Sequence, residues 1–371
     1  MIGVAWGQDI ALRWCDRLRC THKGDRPQSQ QPAIICVLGF TETALIPGIS
    51  AAGKTATDRR YTALADGEFL LRGVQPRYQY PLPPLIEGAS PALISRALIE
   101  SLDLPLYVFN AGLPAPGLVP MIDLGGVPAR CVSTGQAMDR ATVEHLWHQG
   151  WRWGERLSQA HPWLVIGECV VAGTTTALAL CESLGVTAQY CVGSSHRQSN
   201  HGQKWQIVQQ GLSQLPPHPD PLACVAAIGD PMQVVVAAMV LRASQTCEVL
   251  LAGGSQMIAV YALAQAIARW QQLPWRPDQI VVGTTRWIVE DTTAHISTLA
   301  ARVECPLLYS QLNFTTSRHA AFRAYEAGFV KEGVGAGGCC IAAHLLADWH
   351  NEQMVAVIDS LGDRWHKRLA E

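Results

Sequence analysis

Trp163-Leu164-Val165-Ile166-Gly167-Glu168-Cys169-Val170-Val171-Ala172-Gly173-Thr174-Thr175-Thr176-Ala177 decides how this chain folds. It opens as a short apolar run, the mark of a strand buried on both faces. It then turns at a glycine and small residues, and three threonines lead into the helical pattern Thr174–Leu184. A strand that passes straight into a helix is the repeating unit of a parallel α/β sheet.

The same unit recurs along the chain. Ala33–Gly39, Leu104–Asn110, Ala223–Gly229, Val249–Gly253 and Gln279–Gly283 read as further strands, with Trp163–Gly167 among them. Pro91–Ser101, Thr142–Ala160, Pro231–Ala243, Ser255–Ala268 and Thr292–Ala301 read as helices between them. The pattern predicts a doubly wound, mostly parallel α/β sheet with helices on both faces. Residues 33–325 are expected to form this Rossmann-like domain. The terminal segments 1–32 and 326–371 are expected to build a smaller helical subdomain that completes the active site.

Composition narrows the function. Of 371 residues, 49% are hydrophobic and 16% charged, so several helices must be covered on more than one side. A homodimer with helices at its interface is one way to cover them. Net charge is −2, which gives no basic footprint for nucleic acid. The basic stretch Arg13–Arg26 is short, interrupted by acids, and reads as solvated surface. Gln28–Pro32 reads as a polar lead-in. The twelve cysteines have no paired spacing. With no secretory pattern at the N-terminus and no continuous apolar span, a cytoplasmic location is expected and no membrane partner. No clustered metal-ligand motif stands out, so no metal is expected.

Two glycine-rich segments match nucleotide motifs. Gly48-Ile49-Ser50-Ala51-Ala52-Gly53-Lys54-Thr55 fits the P-loop pattern, yet Phe40–Pro47 separates it from the strand that should feed it. Gly333-Val334-Gly335-Ala336-Gly337-Gly338 fits the dinucleotide fingerprint, yet too little chain follows for the rest of that domain.

The Gly167–Ala177 loop suits an anion, because glycines, hydroxyls and a helix start meet there. It resembles the loop GEMGIGNTTAA of nicotinate-nucleotide:dimethylbenzimidazole phosphoribosyltransferases, with Gly167, Glu168, Thr174, Thr175 and Ala177 in register. Lys331-Glu332-Gly333-Val334-Gly335-Ala336 resembles that family's LGEGTGAA. Ile46–Gly53 and Tyr325–Gly338 are similar to a divergent, mostly archaeal and cyanobacterial branch. The chain departs from the family at Gly173, where the loop has Asn, at Cys169-Val170-Val171, and at Ala252, where the family has Asp.

The resemblance implies an activity. It is transfer of 5-phosphoribose from nicotinate mononucleotide to a benzimidazole or adenine, giving the α-linked nucleotide of the lower cobamide ligand. Glu332 falls on the family's catalytic glutamate and would take the proton of the attacking base. Gly167, Glu168, Gly173, Thr174, Thr175, Thr176, Gly253, Gly333 and Gly335 are the implied phosphate and nucleotide contacts. Glu168 either orients the ribose or supports the loop. Lys204 is either a phosphate partner or a solvated helix lysine. Gly48 and Ser50 are implied in the base pocket. His196 and His201 read as surface histidines. Nicotinate mononucleotide enters as substrate, and no cofactor is implied. The departures leave two alternatives: a nucleotide- or base-binding protein of the same fold without turnover, and an NTPase through Gly48–Thr55.

Overall fold

The computed structural model describes residues 1–20, 31–85, 87–118 and 120–370. In chain order the elements are β1 (Ile2–Trp6), α1 (Gln8–Cys20), β2 (Ala33–Gly39), α2 (Ala56–Arg72), α3 (Ala92–Ser101), β3 (Leu106–Gly112), β4 (Ile122–Asp123) and α4 (Arg140–Ala160). There follow β5 (Trp163–Cys169), α5 (Gly173–Ser183), α6 (His201–Leu212), α7 (Pro221–Ile228), α8 (Pro231–Ala243), β6 (Glu248–Ala252) and α9 (Ser255–Gln271). The chain closes with β7 (Ile280–Thr285), α10 (Arg286–Val289), α11 (Ile296–Val303), β8 (Leu307–Ser310), α12 (Ala320–Arg323), α13 (Ala336–Ala347) and α14 (Asn351–Ala370).

Among the described residues the strands form one eight-stranded sheet in the order β1-β8-β7-β6-β5-β2-β3-β4. Every pairing is parallel except β1 with β8 at the edge. Alternation of side chains across the pleat splits the core in two. Ile35, Val37, Leu164 and Ile166 face one cluster, with α4, α5, α7, α8, α9 and α11. Ile34, Cys36, Trp163 and Val165 face the other, with α1, α2, α3, α13 and α14. The expected doubly wound α/β architecture is therefore present. The terminal segments enter these same layers. Residues 1–32 bring the edge strand β1 and α1, and residues 326–371 bring α13 and α14 onto the second face. Among the described residues no helix is long and apolar enough to cross a membrane.

Two expected elements differ. Ala223–Gly229 is not a strand but lies in helix α7. Asp220 caps its start, accepting from the amides of Leu222 and Ala223, and Pro221 occupies its first turn. A short apolar run carries no period of its own, and here the cap decides. The helix expected from Thr292 begins instead at Ile296, because Asp291 Oδ1 accepts from Thr293 N and Oγ1 and holds the chain in a turn. Residues 21–30, which hold part of the basic stretch and of the polar lead-in, lie outside the described residues.

The low charge content is accounted for by α8, buried along its length except at Arg242. It packs on α4 through Gly150 and Gly154. A Cβ at Gly150 would stand 2.3 Å from the Val235 carbonyl oxygen. Gly202 on α6 has nothing within 4 Å of an added Cβ. Gly150→Ala is therefore expected to destabilise by about 1–3 kcal/mol despite alanine's better helix propensity. Gly202→Ala is expected to stabilise by up to about 1 kcal/mol. Urea midpoints of the two variants check the opposite signs.

Candidate active site

The chain runs from β2 to β3 in one direction along the sheet and crosses back to β5 on the other side of β2. Such a reversal opens a crevice at the carboxyl ends of the two inner strands. A cavity of about 300 Å³ lies there. Its walls come from Glu168–Thr174 after β5, Gly193–Arg197 before α6, Gly254–Gln256 at the start of α9, and Phe329–Val334 before α13. Ile49–Ala52, Asp66, Pro83, Leu85, Glu87, Ser90 and Pro91 complete the lining.

Glycines bring the two quoted motifs together. A Cβ on Gly167 would lie 3.0 Å from Gly335 Cα, so the end of β5 and the start of α13 meet backbone to backbone. The Val334 amide donates to the Glu168 carbonyl at 3.1 Å. Gly337 and Gly338 press on Thr284 and Ala252 at the ends of β7 and β6, where a Cβ would come within 2.2 Å. The run Gly333–Gly338 is thus a packing device between helix and sheet, not a dinucleotide loop. Ala252 Cβ lies against both Gly338 and Gly335.

Glu332 projects into the cavity from this junction. Its carboxylate is fully engaged. Oε2 accepts from Thr284 Oγ1 and the Thr285 amide, both at 2.9 Å. Oε1 accepts from the amides of Gly333 at 3.1 Å and Gly337 at 3.2 Å. Desolvation nevertheless holds this carboxyl above the ordinary carboxylate value, against those four donors. Val330, Lys331 and Val334 around it have φ of 66°, 70° and 54°. Left-handed backbone is costly for such residues, and here it clusters at the site.

Glu168 lines the same cavity with fewer partners. Oε2 accepts from the Val170 amide at 2.9 Å, and among the described residues Oε1 accepts from none. Burial pushes its carboxyl up to about 8, helped by the negative charges of Asp230 and Glu332. A half-protonated carboxyl with a free oxygen gives and takes a proton near neutral pH.

The end of the cavity by α5 and α9 suits an anion. Both helices point their N-termini into it, from N-caps Ala172 and Gly254, which supply no side-chain bond. Thr174 and Gly173 line the cavity here. Thr175 and Thr176 do not, which corrects the expectation of three hydroxyls around one phosphate. Both are fully buried. Thr176 Oγ1 donates to Asp230 Oδ2 at 2.6 Å, and Asp230 also receives Gln256 Nε2 at 2.8 Å. Successive helix residues are turned about 100° apart, so one hydroxyl alone can face a ligand. Gly253 and Gly335 stand behind the cavity wall, and Gly167 below its floor; Gly333 lines it.

Lys204 does not reach the cavity either. It is fully buried, and its ammonium donates to the Gly193 carbonyl, which steadies the Gly193–Arg197 wall. Burial, with the nearby charge of Lys331, brings its pKa down to about 7. Lys331 in turn pairs with Asp291 at 2.6 Å. The cation on the cavity rim is Arg197, exposed and, among the described residues, without a partner for its guanidinium. Ser50 lines the cavity, and its hydroxyl lies 3.2 Å from Ser195 Oγ. Gly48 lies on an adjoining shallow pocket with His196 and Asn200. His196 faces the cavity, and its Nε2 is 3.0 Å from the Gly48 carbonyl, so it ties two walls together.

The P-loop reading fails on polarity. Arg59 fills the inside of the turn and donates to the carbonyls of Ala44, Ile46 and Gly53. Asn200 and Gln203 take the carbonyls of Gly48 and Pro47. Within the segment the Ala51 amide is already spent on Ser195 Oγ, and Thr55 is spent as the cap of α2. A His344, Asp348 and His350 group whose ligand atoms lie within 4.8 Å of one another sits at the far end of α13 from Glu332, outside this cavity.

Sequence reading missed Asp66, Gln256 and Arg197. Gln256 had a usable signal. The family's Asn is Gly173 here, and a Cβ at Gly173 would stand 2.8 Å from Gln256 Nε2.

Comparison with known proteins agrees with this architecture. A family model described as Phosphoribosyltransferase matches residues 95–272. A UPF0284 protein of Thermosynechococcus vestitus is 71% identical over 369 residues, covering 100% of this chain and 98% of its own. Another, of Nostoc sp., is 52% identical and covers 90% of this chain and 94% of its own. CobT from Thermus thermophilus shares the fold, with a TM-score of 0.61 at 18% identity over 94% of this chain and 90% of that one. The nicotinate-nucleotide-dimethylbenzimidazole phosphoribosyltransferase from the same organism gives 0.58 at 16% identity over 96% of each chain. The chain belongs to the UPF0284 family.

Proposed function

We propose that this protein transfers 5-phosphoribose from nicotinate mononucleotide to a heterocyclic base and releases nicotinate, forming the α-linked nucleotide of a lower cobamide ligand. The observation that carries this reading is one cavity with an anion-attracting end at two helix N-termini and two carboxyls, Glu332 and Glu168, facing the same space. The neighbour's name, a nicotinate-nucleotide-dimethylbenzimidazole phosphoribosyltransferase, supports the choice of substrates.

In this reading the phosphate rests at the starts of α5 and α9, near Thr174, with Arg197 at the rim. The azole nitrogen attacks C1′ from the face opposite nicotinate. The C1′–N bond breaks and its electron pair returns to the pyridinium nitrogen, which leaves neutral. The azole proton passes to a carboxylate. Glu332 is rigidly held by its four donors, which orient it. Glu168, with one oxygen free, is suited to hold a proton or a ribose hydroxyl. Holding both rings in line and removing one proton are the tasks that the residues must perform.

A second reading, ligand binding without turnover, draws on the same four donors, since a carboxylate so engaged is a weaker base. The two readings separate on Glu332→Gln. The transferase reading expects nicotinate release to fall by about 10²–10⁴ with little change in nucleotide affinity. Wild-type protein that binds the nucleotide but releases no nicotinate with benzimidazoles, adenine or phenolics would sink it. A homodimer in the cytoplasm belongs to the same proposal, and sedimentation velocity tests the dimer.

Two further outcomes follow from the cavity's charges. Arg197→Ala is expected to raise the KM for nicotinate mononucleotide about tenfold with a smaller change in kcat, as loss of one charge-assisted contact. Glu168 is protonated in both folded and unfolded chains below its ordinary value of 4.5, and the folded protein keeps the proton up to about 8. The unfolded chain loses it earlier, so the empty protein loses stability as pH rises through that window. Glu168→Gln escapes this loss. Its Tm advantage over wild type is expected to grow from pH 4.5 to pH 8, and a constant difference would contradict the buried carboxyl.

A further inference from the structure

We infer that Asp66 reads the acceptor base and selects heterocycles that carry an amino group, of the aminopurine class, over purely hydrocarbon-substituted benzimidazoles. This deepens the transferase reading and rests on it.

Asp66 sits on α2, is 4% exposed, and lines the cavity beside Cys169 at the end of β5. Pro83, Leu85 and Pro91 line the same cavity. These are flat apolar surfaces suited to a planar ring. Ser90 Oγ donates to Asp66 Oδ1 at 2.6 Å, and Cys169 Sγ donates to Oδ2 at 3.3 Å. Both neighbours are donors, so they fix the carboxylate as an acceptor. A carboxylate accepts about four hydrogen bonds, so two places remain open.

Among the described residues no cation pairs with Asp66. Burial holds its carboxyl up to about 6, so near neutral pH it is largely ionised. A buried carboxylate short of partners is costly, and donors from whatever fills the cavity relieve that cost. Two N–H groups on a ring edge meet the need. The carboxylate of nicotinate would be repelled, which assigns the space beside Asp66 to the acceptor. A ring edge bearing methyl groups offers no donor and would leave Asp66 buried and unpaired.

The neighbouring loop is altered in the same sense. Cys169 stands where the family's loop GEMGIGNTT has methionine, which has no hydrogen to donate. Its thiol ties Asp66 to the end of β5, next in sequence to Glu168. The Ser90 hydroxyl also accepts from the Ala92 amide, so the start of α3 holds Asp66 in place.

The test compares kcat/KM for adenine and for 5,6-dimethylbenzimidazole at saturating nicotinate mononucleotide. Wild type is expected to favour adenine. In Asp66→Asn the adenine-to-benzimidazole ratio is expected to fall by about 10- to 100-fold, the worth of a hydrogen bond to a charged group. The ratio is the readout because a general loss of activity leaves it unmoved. A wild-type preference for dimethylbenzimidazole, or an unchanged ratio in folded Asp66→Asn, overturns the inference. If that variant does not fold, Ser90→Ala frees Asp66 to turn away and must lower the ratio as well; an unmoved ratio there also overturns it. Calorimetry with the same two bases gives a ratio of Kd values for wild type and variant. That ratio tests Asp66 even in a protein that releases no nicotinate, so failure of the transferase reading and failure of this one remain distinct.

Discussion

The contact of Gly167 with Gly335 is the constraint on which the site depends. Two chain segments far apart in sequence meet with no side chain between them. One carries Glu168 at the end of β5 and the other carries Glu332 before α13. A Cβ on Gly167 would meet Gly335 Cα at 3.0 Å and press the segments apart, while Gly335 holds a left-handed φ of 73° that favours glycine. The close approach also presses Gly337 and Gly338 onto the ends of β7 and β6, so α13 is set against three strands at once. The amides freed at the start of that helix then fall on Glu332. Packing and chemistry share the same few atoms.

Beneath the cavity lies a second layer of polar order. Asp230 caps α8, receives the Thr176 hydroxyl, and accepts from Gln256, while Gln233 donates to Gln256 in turn. Every member has a partner, as a buried polar group requires. The network fixes the start of α5 relative to α9. Those two helix ends supply the amides that face the anion-attracting end of the cavity. Lys204 does the equivalent on the other wall by holding the Gly193 carbonyl. These residues shape the cavity from behind it.

Much of this was legible in the residues. The strand-turn-helix at Trp163–Ala177 is present, because a buried parallel strand is an unbroken apolar run, but the strand runs past Gly167 to Cys169. Glu332 was legible through its glycine context. What was lost was direction. Thr174, Thr175 and Thr176 look alike in sequence, but a helix turns each to a different side. Lys204 looks like a free cation until its amine is seen against a carbonyl. Strand β8 was missed because Leu307–Ser310 has four residues and no period of its own. Strand β1 was missed because it is half-buried at the sheet edge. Asp66 left no mark, since an acid within Ala63–Leu70 reads as a solvated position, while in the fold that stretch of α2 is buried on all sides.

The desolvated carboxyls give the empty cleft an unusual electrical state. Counting acids would make it strongly negative, yet Glu168 keeps its proton to about 8. A guest bearing positive charge, such as a pyridinium ring, would draw that proton off on entering, and loss of the ring's positive charge would let it return. Occupancy of this cleft is therefore an exchange of protons with the surrounding buffer, and the heat of filling it depends on which buffer receives them.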